Sequence, residues 1–293
     1  MARSIALAVC LCLPVVATAA DLEARIAPLA KAHQGKVAVA VKHLKTGEEY
    51  LLNADEAMPT ASLIKLPIMV ETYWQASEGK LKLEKALTLT EGDKVKGSGI
   101  LTSHFSVGAT FPLRDAVRLM IAFSDNTATN LVLDQIEIPS TNARMEKLGF
   151  TNTKINAKVF KGSTTSIAPE RTKKFGLGST TAREMIRLLE FIESGKVVSA
   201  EACQEMIAHL KACDDKEKMT RLLPAGTVVA HKTGSVNACK TDAGIIYLKS
   251  GPVAVCVLTD ENKDERWVAD NAGQVLIAKV AKEVFDHFAT GTK

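Results

Sequence analysis

The sequence contains no run of five like charges, no internal repeat and no low-complexity tract. After its first twenty residues it also has no apolar stretch long enough to cross a membrane. These absences exclude a charged interaction tail, fibrous and disordered chains, and multi-span membrane proteins, whose helices need about 20 apolar residues. An excess of one charge sign is missing too. The 37 basic and 33 acidic residues leave a formal net charge of +4, too small and too dispersed for a nucleic-acid footprint. Metal-ligand spacing is lacking, with no CxxC and no HxxxH pattern, so no zinc site is read. What is there is a chain of 293 residues, 46% hydrophobic and 24% charged, with the profile of an ordinary soluble globular protein.

Charge is almost absent from the first twenty residues, where Arg3 stands alone. It is followed by an apolar run from Ile5 to Val16 and by Ala17-Thr18-Ala19-Ala20. A positive start, a short apolar core and small residues at the end describe a secretory signal peptide over residues 1–20. Cleavage is predicted near Ala19 or Ala20, giving a mature chain from about Asp21; the alternative is an uncleaved anchor. Val9 and Leu11 precede Cys10 and Cys12, so the small residue a lipoprotein site needs is missing. The expected product is exported, periplasmic or secreted, with no membrane association after cleavage and no oligomer beyond the monomer. Cys203, Cys213, Cys239 and Cys256 remain in it. An oxidising compartment permits disulfides, and Cys203–Cys213 is the pair to test first, with buried free thiols the equal alternative.

Hydrophobic periodicity sets out the elements. Asp21–His33 reads as a helix with Leu22, Ile26 and Leu29 on one face. Val37–Leu44 and Glu49–Leu52 read as a hairpin. Helical patterns follow from Ser62 through Tyr73, with Pro67 as a bend or tolerated kink, then over Leu113–Leu133 in two pieces, Thr141–Leu148, Thr180–Glu193 and Ser199–Ala212. Lys154–Ser179 has no clear period, and irregular segments of that length are usually functional or mobile. Val228–Lys232, Ala243–Lys249 and Val253–Thr259 read as strands, and Trp267–Phe288 as a closing helix. Strands at both ends with helices between predict an α+β fold: one antiparallel sheet flanked by the N- and C-terminal helices, with an inserted all-helical subdomain. The predicted division is 21–55 plus 216–293 for the α/β part and 56–215 for the helical part, with a cleft between them as the place for a site.

Three short motifs carry chemistry. In Ser62-Leu63-Ile64-Lys65, positions i and i+3 share a helix face, so hydroxyl and amine can meet, and a desolvated lysine can accept a proton. Ser124-Asp125-Asn126 falls at a break between apolar helical pieces, where polar triplets also serve simply as helix caps. Lys232-Thr233-Gly234-Ser235 ends an apolar strand, offering a fixed cation, two hydroxyls and a glycine that admits close approach. Each alone reads as ordinary structure. Their order and context, with about 60 residues between the first two and about 105 between the second and third, match the S-x-x-K, S-D-N and K-T-G signature of class A β-lactamases and penicillin-binding proteins. The sequence resembles the serine β-lactamase/penicillin-binding superfamily, most closely class A, over essentially the whole mature chain. Thr60-Ala61, Thr127-Ala128-Thr129-Asn130 and Thr180-Thr181-Ala182-Arg183-Glu184-Met185 are further local matches.

That resemblance implies Ser62 as nucleophile toward the lactam carbonyl, with Lys65 activating it directly or through water. It implies Ser124 as proton relay to the leaving nitrogen and Asn126 as a partner of the substrate's side-chain amide. Lys232, Thr233, Gly234 and Ser235 form the carboxylate-binding strand, and the backbone N–H groups of Ser62 and Ser235 form the oxyanion hole. Asn130 corresponds to a residue orienting the deacylating glutamate. No metal or cofactor is implied, and the substrate is a β-lactam or a peptidoglycan-like small molecule. The family carries Glu-x-x-x-Asn in an Ω-shaped loop to hold the hydrolytic water. Between Glu146 and Glu184 this chain has a single carboxylate, Glu170, with Lys174 four residues on. Glu170 is therefore the candidate general base, against a surface glutamate paired with Arg171 or Lys173. His231 should face away from the cleft if Lys232 faces into it, since successive strand residues point to opposite faces. Arg221 is a further candidate for carboxylate binding, and Gly99-Ile100 a candidate shaper of the cleft. The leading reading is hydrolysis of penicillins or cephalosporins. The alternatives are a DD-peptidase-like peptidoglycan hydrolase, or a binding or sensor module that stays acylated.

Overall fold

Alternation decides which way each strand faces. In the strand Lys36–His43, Val37, Val39 and Val41 point to one side, and Ala38 and Ala40 to the other. The partner strand Gly251–Asp260 repeats the pattern, with Val253, Val255 and Val257 on the first side and Ala254, Cys256 and Leu258 on the second. The two strands pair antiparallel with Val39 opposite Val257. The valine face takes the two terminal helices, Ala19–Ala32 and Ala272–Thr290, through Leu22, Ile26, Ile277, Val280 and Val284. The face of smaller residues lets the helical part come close, and it merges into a larger core with Leu66, Met69, Leu189 and Ile192.

The computed structural model describes residues 19–290. The expected leader lies outside them except for Ala19 and Ala20, which open the first helix. The fold is α+β. Its main sheet has five antiparallel strands in the order Glu49–Leu52, Lys36–His43, Gly251–Asp260, Cys239–Leu248, Val229–Val236. Between the strands Glu49–Leu52 and Val229–Val236 in sequence lie the helices Lys65–Ser77, Leu113–Ala122, Asn126–Ile136, Ile138–Lys147, Ala182–Glu193 and Ala200–Lys211. Lys65–Ser77 is buried on nearly every side, so it forms the centre of that helical part. Among the described residues no helix is long and apolar enough to cross a membrane.

Several boundaries differ from the sequence reading. Pro67 does not fall in the interior of its helix. It falls in the first turn of Lys65–Ser77, where the N–H it lacks would have no intrahelical partner. The closing helix begins at Ala272, not Trp267, because Asp264 Oδ2 accepts the Ala272 N–H and Asn271 Oδ1 accepts that of Gly273. The strand expected to end at Lys232 runs on to Val236, pairing Lys232 with Ala243 and Ser235 with Lys240. The aperiodic stretch 154–179 holds two short strands, Lys154–Ile155 and Gly178–Thr180, and two short helices, Gly162–Thr165 and Pro169–Phe175. Cys203, Cys213, Cys239 and Cys256 are buried free thiols, so the Cys203–Cys213 bridge is not formed.

Candidate active site

Ser62 lies in a 3-10 turn, Ala61–Ile64, that runs directly into the helix starting at Lys65. The turn is bought with strain: Ala61 has φ +46°, a conformation that costs a non-glycine residue about 1–3 kcal/mol. It is held against the edge strand at Gly234. A β-carbon there would come within 2.5 Å of Thr60 O and 2.9 Å of Leu63 N. The Thr241 hydroxyl, from the next strand, donates to Thr60 O at 2.9 Å. The glycine that admits close approach is thus the contact surface for the serine turn itself.

Lys65 is fully buried and donates to Ser124 O at 2.6 Å and to Asn126 Oδ1 at 2.8 Å. Its Nζ is 3.2 Å from Ser124 Oγ. Burial, and then the charge of Lys232, push its pKa well below the usual lysine range. Lys232, also fully buried and also lowered by burial, donates to Ser124 Oγ at 3.0 Å and to Thr233 O at 2.8 Å. The Ser124 hydroxyl therefore stands between two lysine nitrogens. It can accept from Lys232 and exchange a proton with Lys65. Ser124 has φ +52°, which turns its backbone at the break between Leu113–Ala122 and Asn126–Ile136.

The rest of the triplet holds loops in place. Asp125 caps the helix by accepting from Ala128 N at 2.8 Å, while its other oxygen accepts from Ile100 N and Leu101 N at 2.7 and 2.8 Å. That packs Gly99 against Asp125 so tightly that a β-carbon would lie 2.3 Å from the carboxyl. Asn126 donates to Lys96 O, and Ser98 donates to Ser124 O. One helical turn on, Asn130 donates to Val159 O and accepts from Val159 N, fixing the far rim.

These elements enclose a cleft of about 910 Å³. The structure brings Ser62, Ser124, Asn126, Thr233, Gly234 and Ser235 to its lining, with Lys65 and Lys232 buried beneath Ser124. Glu170 is not brought there. It is exposed in the first turn of Pro169–Phe175 and does not line the cleft, because that short helix turns its acidic N-terminal end outward. Neither Arg171 nor Lys173 pairs with it. Arg171 donates instead to Ser179 Oγ. No residue that 156–177 contributes to the lining is a carboxylate; Ala157, Val159, Phe160 and Leu177 are among them. Arg221 does not line the cleft and donates to Ala269 O. His231 faces the opposite side of the sheet, buried beside Asp242.

Sequence reasoning missed Lys218 and Asp215. Both line the cleft and pair at 2.6 Å, with the Lys218 side chain 3% exposed. Burial would raise the Asp215 pKa, but Lys218 and bonds from Glu217 N and Thr233 hold it at about 2. The local sequence Asp214-Asp215-Lys216-Glu217-Lys218 has mixed charges, which reads as solvated surface. Only the return of the chain beneath Thr233 buries the pair. Among the described residues no group of three or more His, Cys, Asp or Glu is placed to hold a metal ion.

Comparison with known proteins agrees with this geometry. The sequence profile of the β-lactamase enzyme family matches residues 21–288. The extended-spectrum β-lactamase PER-1 of Pseudomonas aeruginosa is 24% identical over 276 residues, covering 90% of this chain and 86% of that protein. A β-lactamase of Bacillus licheniformis is 26% identical over 269 residues, covering 90% and 83%. The crystal structure of a β-lactamase from Sphaerobacter thermophilus aligns with a TM-score of 0.80 at 26% identity, covering 92% of this chain and 98% of that one.

Proposed function

The chain belongs to the β-lactamase enzyme family, and from that premise we propose that it opens the β-lactam ring of penicillins and cephalosporins through a Ser62 acyl-enzyme. The observation that carries this reading is the Lys65–Ser124–Lys232 chain beside the Ser62 turn, with contacts of 3.2 and 3.0 Å at the shared hydroxyl. Lys65, whose charged form burial disfavours, takes the Ser62 proton as Oγ bonds to the lactam carbonyl carbon. The oxyanion is met by the N–H groups of Ser62 and Ser235, each such donor being worth about 3–4 kcal/mol. As the C–N bond breaks, Ser124 hands a proton to the ring nitrogen and is resupplied from Lys65. Lys232, Thr233 and Ser235 take the substrate carboxylate, with the Lys218–Asp215 pair setting Thr233. Asn126 receives the side-chain amide. The cleft then lies at the seam between 56–215 and the α/β part formed by 21–55 and 216–293. The protein works as a periplasmic or secreted monomer.

The lack of a carboxylate in the lining from segment 156–177 favours a particular rate profile. Without a positioned base, water attacks the acyl-enzyme slowly, so acylation is fast and release limits turnover. Mixing the purified protein with a chromogenic cephalosporin, following absorbance and intact mass together, tests this. An adduct that forms rapidly and clears slowly is expected, and Ser62→Ala should form none. Neither turnover nor adduct would sink the β-lactam reading. An adduct on Ser62→Ala would show the nucleophile to be another residue.

A further inference from the structure

The cleft does not end at Ser235. It continues over Val236, Cys239 and Lys240 to Trp267, Val268 and Ala269. Nine large apolar side chains are exposed among the described residues, and four of them, Phe160, Val236, Trp267 and Val268, line this one cleft. Three of those four, Val236 (49% exposed), Trp267 (67%) and Val268 (42%), gather beyond Ser235. Exposed apolar side chains lining the same cleft as a polar reaction centre are what a bound apolar substituent would cover.

Trp267 is also held still. Its indole N–H donates to Asn237 Oδ1 at 2.9 Å. Lys240 Nζ lies 5.1 Å from the ring centroid and is itself tied to Val236 O and Asn237 O at 2.7 and 2.8 Å. Asn271 pins the preceding backbone by donating to Asp264 O and Arg266 O. A ring fixed this way loses little side-chain freedom when a ligand covers it. The nearby cations are already engaged, Lys240 by two carbonyls and Arg266 by Asp264, so the surface offers a π face rather than a charge.

We propose that Trp267, with Val236 and Val268, is a subsite for an aromatic side chain carried on the acyl group of the substrate. This rests on the reading of Ser62 as a β-lactam nucleophile. With the carboxylate end at Lys232–Ser235, a substituent running along the edge strand toward its C-terminal end passes Ser235, meets Val236 and arrives at the indole. Stacking or edge-to-face contact there selects phenyl-bearing acyl groups over small ones.

Acylation rates followed by intact mass, with benzylpenicillin and with 6-aminopenicillanic acid, which has no acyl side chain, test the assignment. In Trp267→Ala the benzylpenicillin rate at low concentration should fall about five- to tenfold, with the 6-aminopenicillanic acid rate unchanged, and Trp267→Phe should recover most of the loss. Equal losses for both compounds would make Trp267 a support for the Asn237 turn and overturn the subsite. So would no loss for either. Failure of the unaltered protein to acylate with both compounds would instead overturn the Ser62 reading and take the subsite with it.

Discussion

Gly234 shows how one residue can hold a reaction centre together. It lies within a strand, has no turn to make, and is glycine because the serine turn packs onto it: a β-carbon would meet Thr60 O, Leu63 N and the Thr241 hydroxyl, at 2.5, 2.9 and 2.5 Å. Two of those neighbours are backbone atoms, so the turn would have to shift. Gly234→Ala should therefore cost about 1–3 kcal/mol of stability from overpacking and, because about 1 Å of misplacement costs on the order of a hundredfold in rate, slow acylation by about that factor. Chemical denaturation and adduct formation by mass check the two effects separately. Glu170 gives the opposite expectation. Exposed and outside the cleft, it should leave both acylation and deacylation unchanged as Glu170→Gln, and accumulation of adduct in that variant would return it to the mechanism. At this scale the motif residues Ser62, Lys65, Ser124, Asn126, Lys232 and Thr233 were legible because each lies on its own short local pattern. The position of Glu170 outside the cleft was not legible, because the pattern said only that a carboxylate existed in the segment, and the direction of a seven-residue helix, Pro169–Phe175, is set by tertiary contacts.

The segment from 156 to 177 is where element-level reading gave out. The strands that flank it meet through two residue pairs only, Lys154 with Ser179 and Ile155 with Gly178, too few for any period to emerge. The long strands and helices were legible because alternation and 3.6-residue spacing repeat several times within them, as in Val37, Val39 and Val41 against Ala38 and Ala40. The end of the Lys232 strand was not, since Lys-Thr-Gly-Ser looks like a turn until Cys239–Leu248 pairs with it. The segment is bonded within itself, as by Asn156 to Leu177 and Gly176, and is tied to the helical part by Asn130, whose side chain both donates to and accepts from Val159, and by Asn142, which does the same with Ile155. Asn130→Ala strands two buried backbone groups, at a cost of about 1–3 kcal/mol. Amide hydrogen exchange should then accelerate over 156–177 while the five-stranded sheet keeps its protection. Uniform acceleration would show that Asn130 anchors the whole molecule and not this rim.

Across the whole molecule, two buried histidines set opposite limits on stability. His231 joins separate parts of the chain. It sits on the edge strand, faces Asp242 on the neighbouring strand at 3.1 Å, and has the Cys213 thiol from the end of Ala200–Lys211 beside it. Met219 N donates to the same Asp242 carboxylate. Burial would lower the His231 pKa, but the charge and hydrogen bond of Asp242, with Cys213, raise it from 6.5 to about 10. A histidine whose folded pKa is raised contributes stability fully present below pH 6.5 and lost as pH climbs through about 10. His209, across the sheet in the helical part, accepts from or donates to Tyr73 Oη at 2.8 Å. Burial first, then Arg118 and Arg114, lower its pKa to about 4. The unfolded chain therefore binds a proton there between pH 6.5 and 4 that the folded one refuses, and stability falls as pH falls through that window. The thermal midpoint should accordingly peak near neutrality and decline on both sides. Replacing the His231 pair together, as His231→Gln with Asp242→Asn so that no buried carboxylate is left alone, should flatten the alkaline decline and keep the acid one. His209→Gln should do the reverse. An alkaline limb of unchanged slope in the double variant would mean that His231 is neutral in the folded protein and that the three-element junction is held by packing alone.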